Sequence, residues 1–279
     1  MIYNIITTHN LLSSLYGNTA ATSYNCESVN LLVAIHGFGE SQAYLTDFAE
    51  TAANKGYAVW TIDLPAHGNS VWQKDVYNVH DTVEIVETIL ALAPHTETLS
   101  FFGYSLGGKV VFATLQHLKT HKKLALPLRS VYLAAPAGAP LNIFHPYIKV
   151  PILFKKIVIS LAQYDGFMIK LSNILFQIGI IDKFKHGFTK KYLENKENKA
   201  QMFSWWYSIS NFPFSVATTN AIFDTNQTKI HFLFGTTDTV IPKNADKWFR
   251  ENLRFTTIQY IVGRHRTVMS GAAKWFLGL

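Results

Sequence analysis

The chain of 279 residues holds a single cysteine, Cys26, so no disulfide can form within it. That fits a reducing compartment. Charge is also scarce, at 15% of residues against 48% hydrophobic, and this composition excludes disorder as a whole-chain state. The formal net charge of +7 contains no run of five or more Lys or Arg. The excess is therefore read as a solvated basic surface, and no nucleic-acid partner is expected. Residues 1–16 lack Lys, Arg and any long apolar stretch, unlike a secretory signal. The apolar stretch from Val150 to Ala162 is interrupted by Lys155 and Lys156, too short and too charged to span a bilayer. A soluble, cytoplasmic protein is the expectation. HExxH, paired cysteines, GxGxxG and a P-loop are all missing, so neither a metal nor a cofactor is expected.

What is present is an alternation. Short apolar runs occur at Leu31 to Ile35, Ala58 to Ile62, Leu99 to Phe102, Ser130 to Ala134, Ile230 to Phe234 and Thr257 to Val262. Each is long enough for a strand buried on both faces. Helix-length segments separate them: Ala43 to Asn54, Asp81 to Ala93, Leu106 to Lys119, Asn244 to Asn252 and Thr267 to Leu277. Strand alternating with helix predicts an α/β fold, with a mostly parallel central sheet and helices on both faces. Residues 1–30 are expected to add an antiparallel edge hairpin.

One stretch breaks the alternation. Residues 140–224 hold no clean buried-strand run, yet carry 16 aromatic residues and ten Lys against five acids. Most of the net positive charge lies here. The expected organisation is a core from residues 1–139 and 226–279, with a helical insertion at 140–225.

The chemistry-bearing residues lie at strand ends. Gly103-Tyr104-Ser105-Leu106-Gly107 fits G-x-S-x-G between a strand and a helix. A tight turn there lifts the serine hydroxyl clear of the sheet, and glycines avoid collisions with neighbouring backbone. Asp238 follows the fifth apolar run and His265 the sixth. A carboxylate can orient an imidazole, and an imidazole can take the proton of a serine hydroxyl.

With His36-Gly37-Phe38-Gly39 and the Asp63 to Ser70 segment added, these motifs resemble the α/β-hydrolase superfamily, of the capped serine hydrolase or esterase type. The resemblance covers essentially the chain outside the insertion. It implies Ser105 as nucleophile, His265 as base and Asp238 as its orienting acid, in the chain order of that fold. It also implies an oxyanion hole from the backbone N–H groups of Phe38 and Leu106. His36 is read as a brace for its loop, Asp63 as structural, and Asp224 as the fallback acid should Asp238 point away. His67 is a candidate for lining the pocket.

The expected function is cleavage of a carboxylic ester or thioester through an acyl-enzyme on Ser105. The partner is a small-molecule acyl substrate, and the insertion's Phe, Ile and Leu content suggests one with a hydrophobic moiety. Acyl transfer, C–C bond hydrolysis on the same triad, or a non-catalytic ligand-binding protein retaining the fold stay open. Contact of the insertion's lysines with an anionic membrane surface is a lesser alternative. Oligomeric state is not fixed by the sequence. Two departures from the family pattern stand out: Ala66 where relatives often have Gly, and Arg264 and Arg266 flanking His265.

Overall fold

The computed structural model describes residues 9–14, 17–73, 76–124, 126–137, 166–181, 183–194, 202, 204–205, 208–209, 212, 214–226, 228–241 and 244–279. They separate into two compact units. The first comprises residues 1–74, 78–143 and 212–279, the second residues 75–77 and 144–211.

The first unit is built on one sheet. Its strands are β1 (His9–Ser14), β2 (Gly17–Tyr24), β3 (Asn30–Ile35), β4 (Ala58–Ile62), β5 (Val71–Trp72), β6 (Thr98–Tyr104), β7 (Leu128–Ala134), β8 (Lys229–Gly235) and β9 (Thr256–Ile261). The order is β1-β2-β4-β3-β6-β7-β8-β9, with β5 added on β2. From β4 to β9 every pairing is parallel, while β1, β2 and β5 pair antiparallel. The N-terminal hairpin therefore sits where residues 1–30 were expected to put it. The two-residue β5 is too short to leave a sequence signal.

Helices α1 (Thr46–Asn54), α2 (Val79–Leu92), α3 (Leu106–Thr120), α6 (Val216–Asn226), α7 (Ala245–Asn252) and α8 (His265–Leu277) belong to this unit. The pleat explains how they cover both faces. Phe102 of β6 pairs in register with Tyr132 of β7, so the two point to one side. Phe48 of α1 stacks on Phe102 at 3.8 Å, and Phe276 of α8 packs on Tyr132 at 4.8 Å. Phe232 of β8 pairs in register with Leu133, the next residue along β7, and so faces the other way. It meets Phe249 of α7 at 4.5 Å, and Phe112 of α3 stacks on Phe249 in turn. Phe48, Phe112, Phe232 and Phe249 are fully buried, each contributing roughly 1.5–3 kcal/mol by leaving water. Gln116 fixes α6 against α3 by donating to Thr219 Oγ1 at 2.8 Å.

In the second unit, α4 (Phe167–Gln177) and α5 (Lys183–Leu193) form a helical pair. Ser172 Oγ and His186 Nδ1 are hydrogen-bonded at 3.1 Å, and Phe176 stacks on His186 at 4.5 Å. Trp205 is buried against Tyr77, whose N–H donates to Ser208 Oγ. Among the described residues no helix is long and apolar enough to cross a membrane.

Candidate active site

The site gathers at the carboxyl ends of β3, β6, β8 and β9, where an open parallel sheet leaves its crevice. Ser105 lies between β6 and α3 with φ 51° and ψ −114°, a conformation that L-residues avoid. Surrounding bonds hold it there. Ser105 N–H donates to Ala134 O at 3.0 Å, and Ser105 O accepts from Gly108 N–H at 3.0 Å and Ala137 N–H at 2.7 Å.

The glycines around it are required by close approach. A Cβ on Gly107 would lie 2.2 Å from Ile35 O and 2.7 Å from His36 O. One on Gly103 would lie 2.7 Å from Gly108 Cα. The start of α3 is thereby pressed against the end of β3. Gly37 is equally confined, since a Cβ there would come within 3.2 Å of Ser105 Cβ. The Gly37 loop therefore runs directly beside the serine.

His265 opens α8 and bridges the other two residues. Its Nε2 is 2.9 Å from Ser105 Oγ, and its Nδ1 is 2.7 Å from Asp238 Oδ2. Asp238 is held by its own turn: Oδ1 accepts from Val240 N–H at 2.7 Å and Ile241 N–H at 3.1 Å. That leaves Oδ2 to accept from the imidazole. The Asp238 side chain is 4% exposed and that of His265 14%, so their bond is shielded from competing water. Ser105, Asp238 and His265, far apart in sequence, are thus one hydrogen-bonded chain.

Leu106 is the first residue of α3, where an N–H has no acceptor within the helix. Phe38 follows Gly37 in the loop beside Ser105, and its ring meets His67 edge-on at 5.5 Å. His36 is fully buried and pinned at both nitrogens. Nδ1 lies 2.7 Å from Gly37 O, and Nε2 accepts from Leu64 N–H at 3.0 Å. The first contact is satisfied only by a proton on Nδ1, so the ring is neutral. Burial pushes its pKa down to about 4, against the smaller opposing pull of the Gly37 carbonyl. His67 is buried as well, its Nδ1 bonded to Pro65 O, and burial with the neighbouring His36 pushes its pKa down to about 3. His36 thus ties the Phe38 loop to the segment after β4.

Asp63 organises that segment. Its Oδ1 accepts from Gln42 N–H at 2.6 Å and its Oδ2 from Asn69 N–H at 2.8 Å. Asp224 lies elsewhere, paired with Arg254 at 2.7 Å, so the fallback acid is engaged outside the site.

Three contributors were not anticipated from sequence. Arg266 pairs with Glu40 at 2.6 Å, linking the start of α8 to the Phe38 loop. Tyr44 Oη donates to Arg266 O at 3.4 Å, and Tyr104 Oη to His265 O at 3.3 Å. Burial, with the Tyr44 and Glu40 neighbours, raises the Tyr104 pKa and keeps it a neutral donor. Glu40, Tyr44 and Tyr104 thus brace the His265 turn. Arg264 and Arg266 are both exposed, and Glu40 offsets the Arg266 charge. Among the described residues no group of three or more His, Cys, Asp or Glu is arranged to hold a metal.

Solved structures with this architecture include a carboxylesterase of the thaumarchaeon Nitrososphaera gargenis, at TM-score 0.64 and 14% identity, covering 96% of this chain and 95% of that one. The thioesterase domain from the curacin biosynthetic pathway matches at TM-score 0.64 and 14% identity, over 97% and 99% of the two chains. Est816, an N-acyl homoserine lactone degrading enzyme, matches at TM-score 0.65 and 13% identity, over 97% and 100%. At such identities the likeness speaks to the fold. No curated protein matches the chain. The family model described as alpha/beta hydrolase fold matches residues 30–248, well over half of the sequence, and the chain therefore belongs to the α/β-hydrolase fold family.

Proposed function

We propose that the protein is a serine hydrolase that cleaves a carboxylic ester or thioester through an acyl-enzyme on Ser105. The observation that carries this reading is the His265 imidazole, bonded at once to Ser105 Oγ at 2.9 Å and Asp238 Oδ2 at 2.7 Å.

The steps follow from that geometry. Ser105 Oγ attacks the acyl carbon as its proton passes to His265 Nε2. The carbonyl oxygen becomes an oxyanion, which the Phe38 and Leu106 N–H groups accommodate. Asp238 stabilises the imidazolium. Collapse of the intermediate breaks the bond to the leaving alcohol or thiol, which departs with the proton from His265. Water, deprotonated by His265, then attacks the acyl-enzyme, and a second collapse releases the acid and restores Ser105. The Phe, Ile and Leu content of the insertion favours a substrate with an apolar moiety.

The test is covalent labelling by a fluorophosphonate, followed by intact mass, for the wild type and Ser105→Ala. One adduct on the wild type and none on the variant is expected. A folded wild type that takes no adduct overturns the proposal. A series of p-nitrophenyl esters graded by acyl length then locates the apolar preference.

A further inference from the structure

Helix α4 is built the wrong way out for a water-facing helix, whereas α5 buries Tyr192 and Leu193 and exposes Lys190 and Lys191. Leu171 and Ile174 on α4 and Ile178 at its C-cap fall at i, i+3 and i+7 and so share one face. That face is exposed: Leu171 is 38%, Ile174 54% and Ile178 62% open to solvent. The buried position between them is polar Ser172, 4% exposed and bonded to His186 of α5. Ile180, just past the helix, is 64% exposed, and Phe176 is 39% exposed. Phe176 instead turns toward α5, stacked on His186, so four of the twelve exposed large apolar side chains of the described residues, Leu171, Ile174, Ile178 and Ile180, fall within ten positions on the outward side. A contiguous exposed apolar surface marks an interaction site.

Charge identifies the partner. Residues 144–211 carry ten Lys and four acids, with no Arg. Lys170 stands on α4 beside the apolar stripe, and Lys190 and Lys191 lie on the last turn of α5. All three are exposed. A protein partner would need apolar pockets matched to this stripe. A lipid surface takes isoleucine and leucine without matching pockets, and an anionic one attracts lysines at the same time.

We propose that α4 and the turn after it, with Lys170, Lys190 and Lys191, form a docking surface for an anionic lipid bilayer. The isoleucines enter the headgroup boundary and the lysines meet lipid phosphates. The contact is peripheral. It is independent of the acyl chemistry proposed for Ser105, since no residue of that site takes part.

The experiment is co-sedimentation of the full chain with vesicles of phosphatidylcholine alone, or with about 30% phosphatidylglycerol, at low and raised salt. Binding to the anionic vesicles, weakened by salt, is expected. The triple variant Ile174→Gln, Ile178→Ser, Ile180→Ser should bind at least about tenfold more weakly. Lys170→Glu should lose roughly fivefold or more. Thermal unfolding by circular dichroism verifies the fold of each variant, whatever the outcome of fluorophosphonate labelling. Equal affinity for neutral and anionic vesicles, no sedimentation at all, or full binding by the triple variant would overturn the proposal. So would a concentration-dependent dimer, seen by light scattering, that the triple variant abolishes without any lipid binding.

Discussion

Replacing Asp238 with Asn removes a charge while keeping shape, and the structure dictates how the new amide must sit. Asp238 Oδ1 accepts two backbone N–H groups, from Val240 and Ile241. The Asn carbonyl must take that place, because an NH2 there would face two donors and leave both unsatisfied, at about 1–3 kcal/mol each. The NH2 then points at His265 Nδ1, now 2.7 Å from Oδ2, and donates to it. Nδ1 becomes an acceptor, so the neutral ring carries its proton on Nε2. In that tautomer His265 cannot take the proton of Ser105. The expected loss in kcat is on the order of 10⁴-fold, or about 5.5 kcal/mol of barrier. Urea unfolding should change little, since the turn keeps both of its hydrogen bonds. Asp238→Ala should differ by losing stability as well, because the turn's two N–H groups lose their acceptor. The assay is steady-state hydrolysis of a p-nitrophenyl ester beside the wild type and Ser105→Ala. A folded Asp238→Asn protein within about tenfold of wild-type kcat would refute the reasoning, because the tautomer would then not matter.

Four further outcomes are expected. Gly107→Ala, whose Cβ would lie 2.2 Å from Ile35 O, should cost about 3 kcal/mol or more in urea unfolding; a change below about 0.5 kcal/mol would contradict the close approach. Ala66 has φ 57°, so Ala66→Gly should stabilise the fold by up to about 1 kcal/mol, read as a raised urea midpoint. His36 has its pKa pushed below the unfolded value, so the unfolded chain binds more protons and stability is lost as pH falls from about 6.5 toward 4. His67 and His231 are shifted the same way, so His36→Gln should make this fall in urea midpoints shallower without abolishing it. The Glu40–Arg266 pair joins a side chain 72% exposed to one 21% exposed, so a double-mutant cycle to Ala should give at most about 1 kcal/mol of coupling.

How much of this was legible depends on whether a feature is local in sequence. The buried strands could be read because parallel strands covered on both faces need continuous apolar runs. Ala58–Ile62 matched to the residue, and β6 and β7 extended only one or two positions beyond their runs. The elbow could be read because its glycines answer to a local demand, the close pass of α3 over the end of β3. Asp238 and His265 were named through resemblance; what the sequence did not show is the turn at Asp238, which commits one carboxylate oxygen to two backbone N–H groups and leaves the other to His265. Glu40 and Arg266 were not legible as a pair. They stand 226 positions apart, and nothing in either neighbourhood names the other. Arg266 stands out in the sequence only as a cation flanking His265, and the fold sets the Glu40 carboxylate against it. Two loops that must keep register, one carrying Phe38 and one carrying His265, are joined by that pair and by the Tyr44 and Tyr104 hydroxyls. Sequence motifs mark the residues of the candidate site, while the bonds that fix their spacing arise between segments that meet only after folding. The outward isoleucines of α4 make the same point in reverse. Their helical spacing reads as a core-facing stripe, and only the burial of Ser172 shows which way the helix is turned.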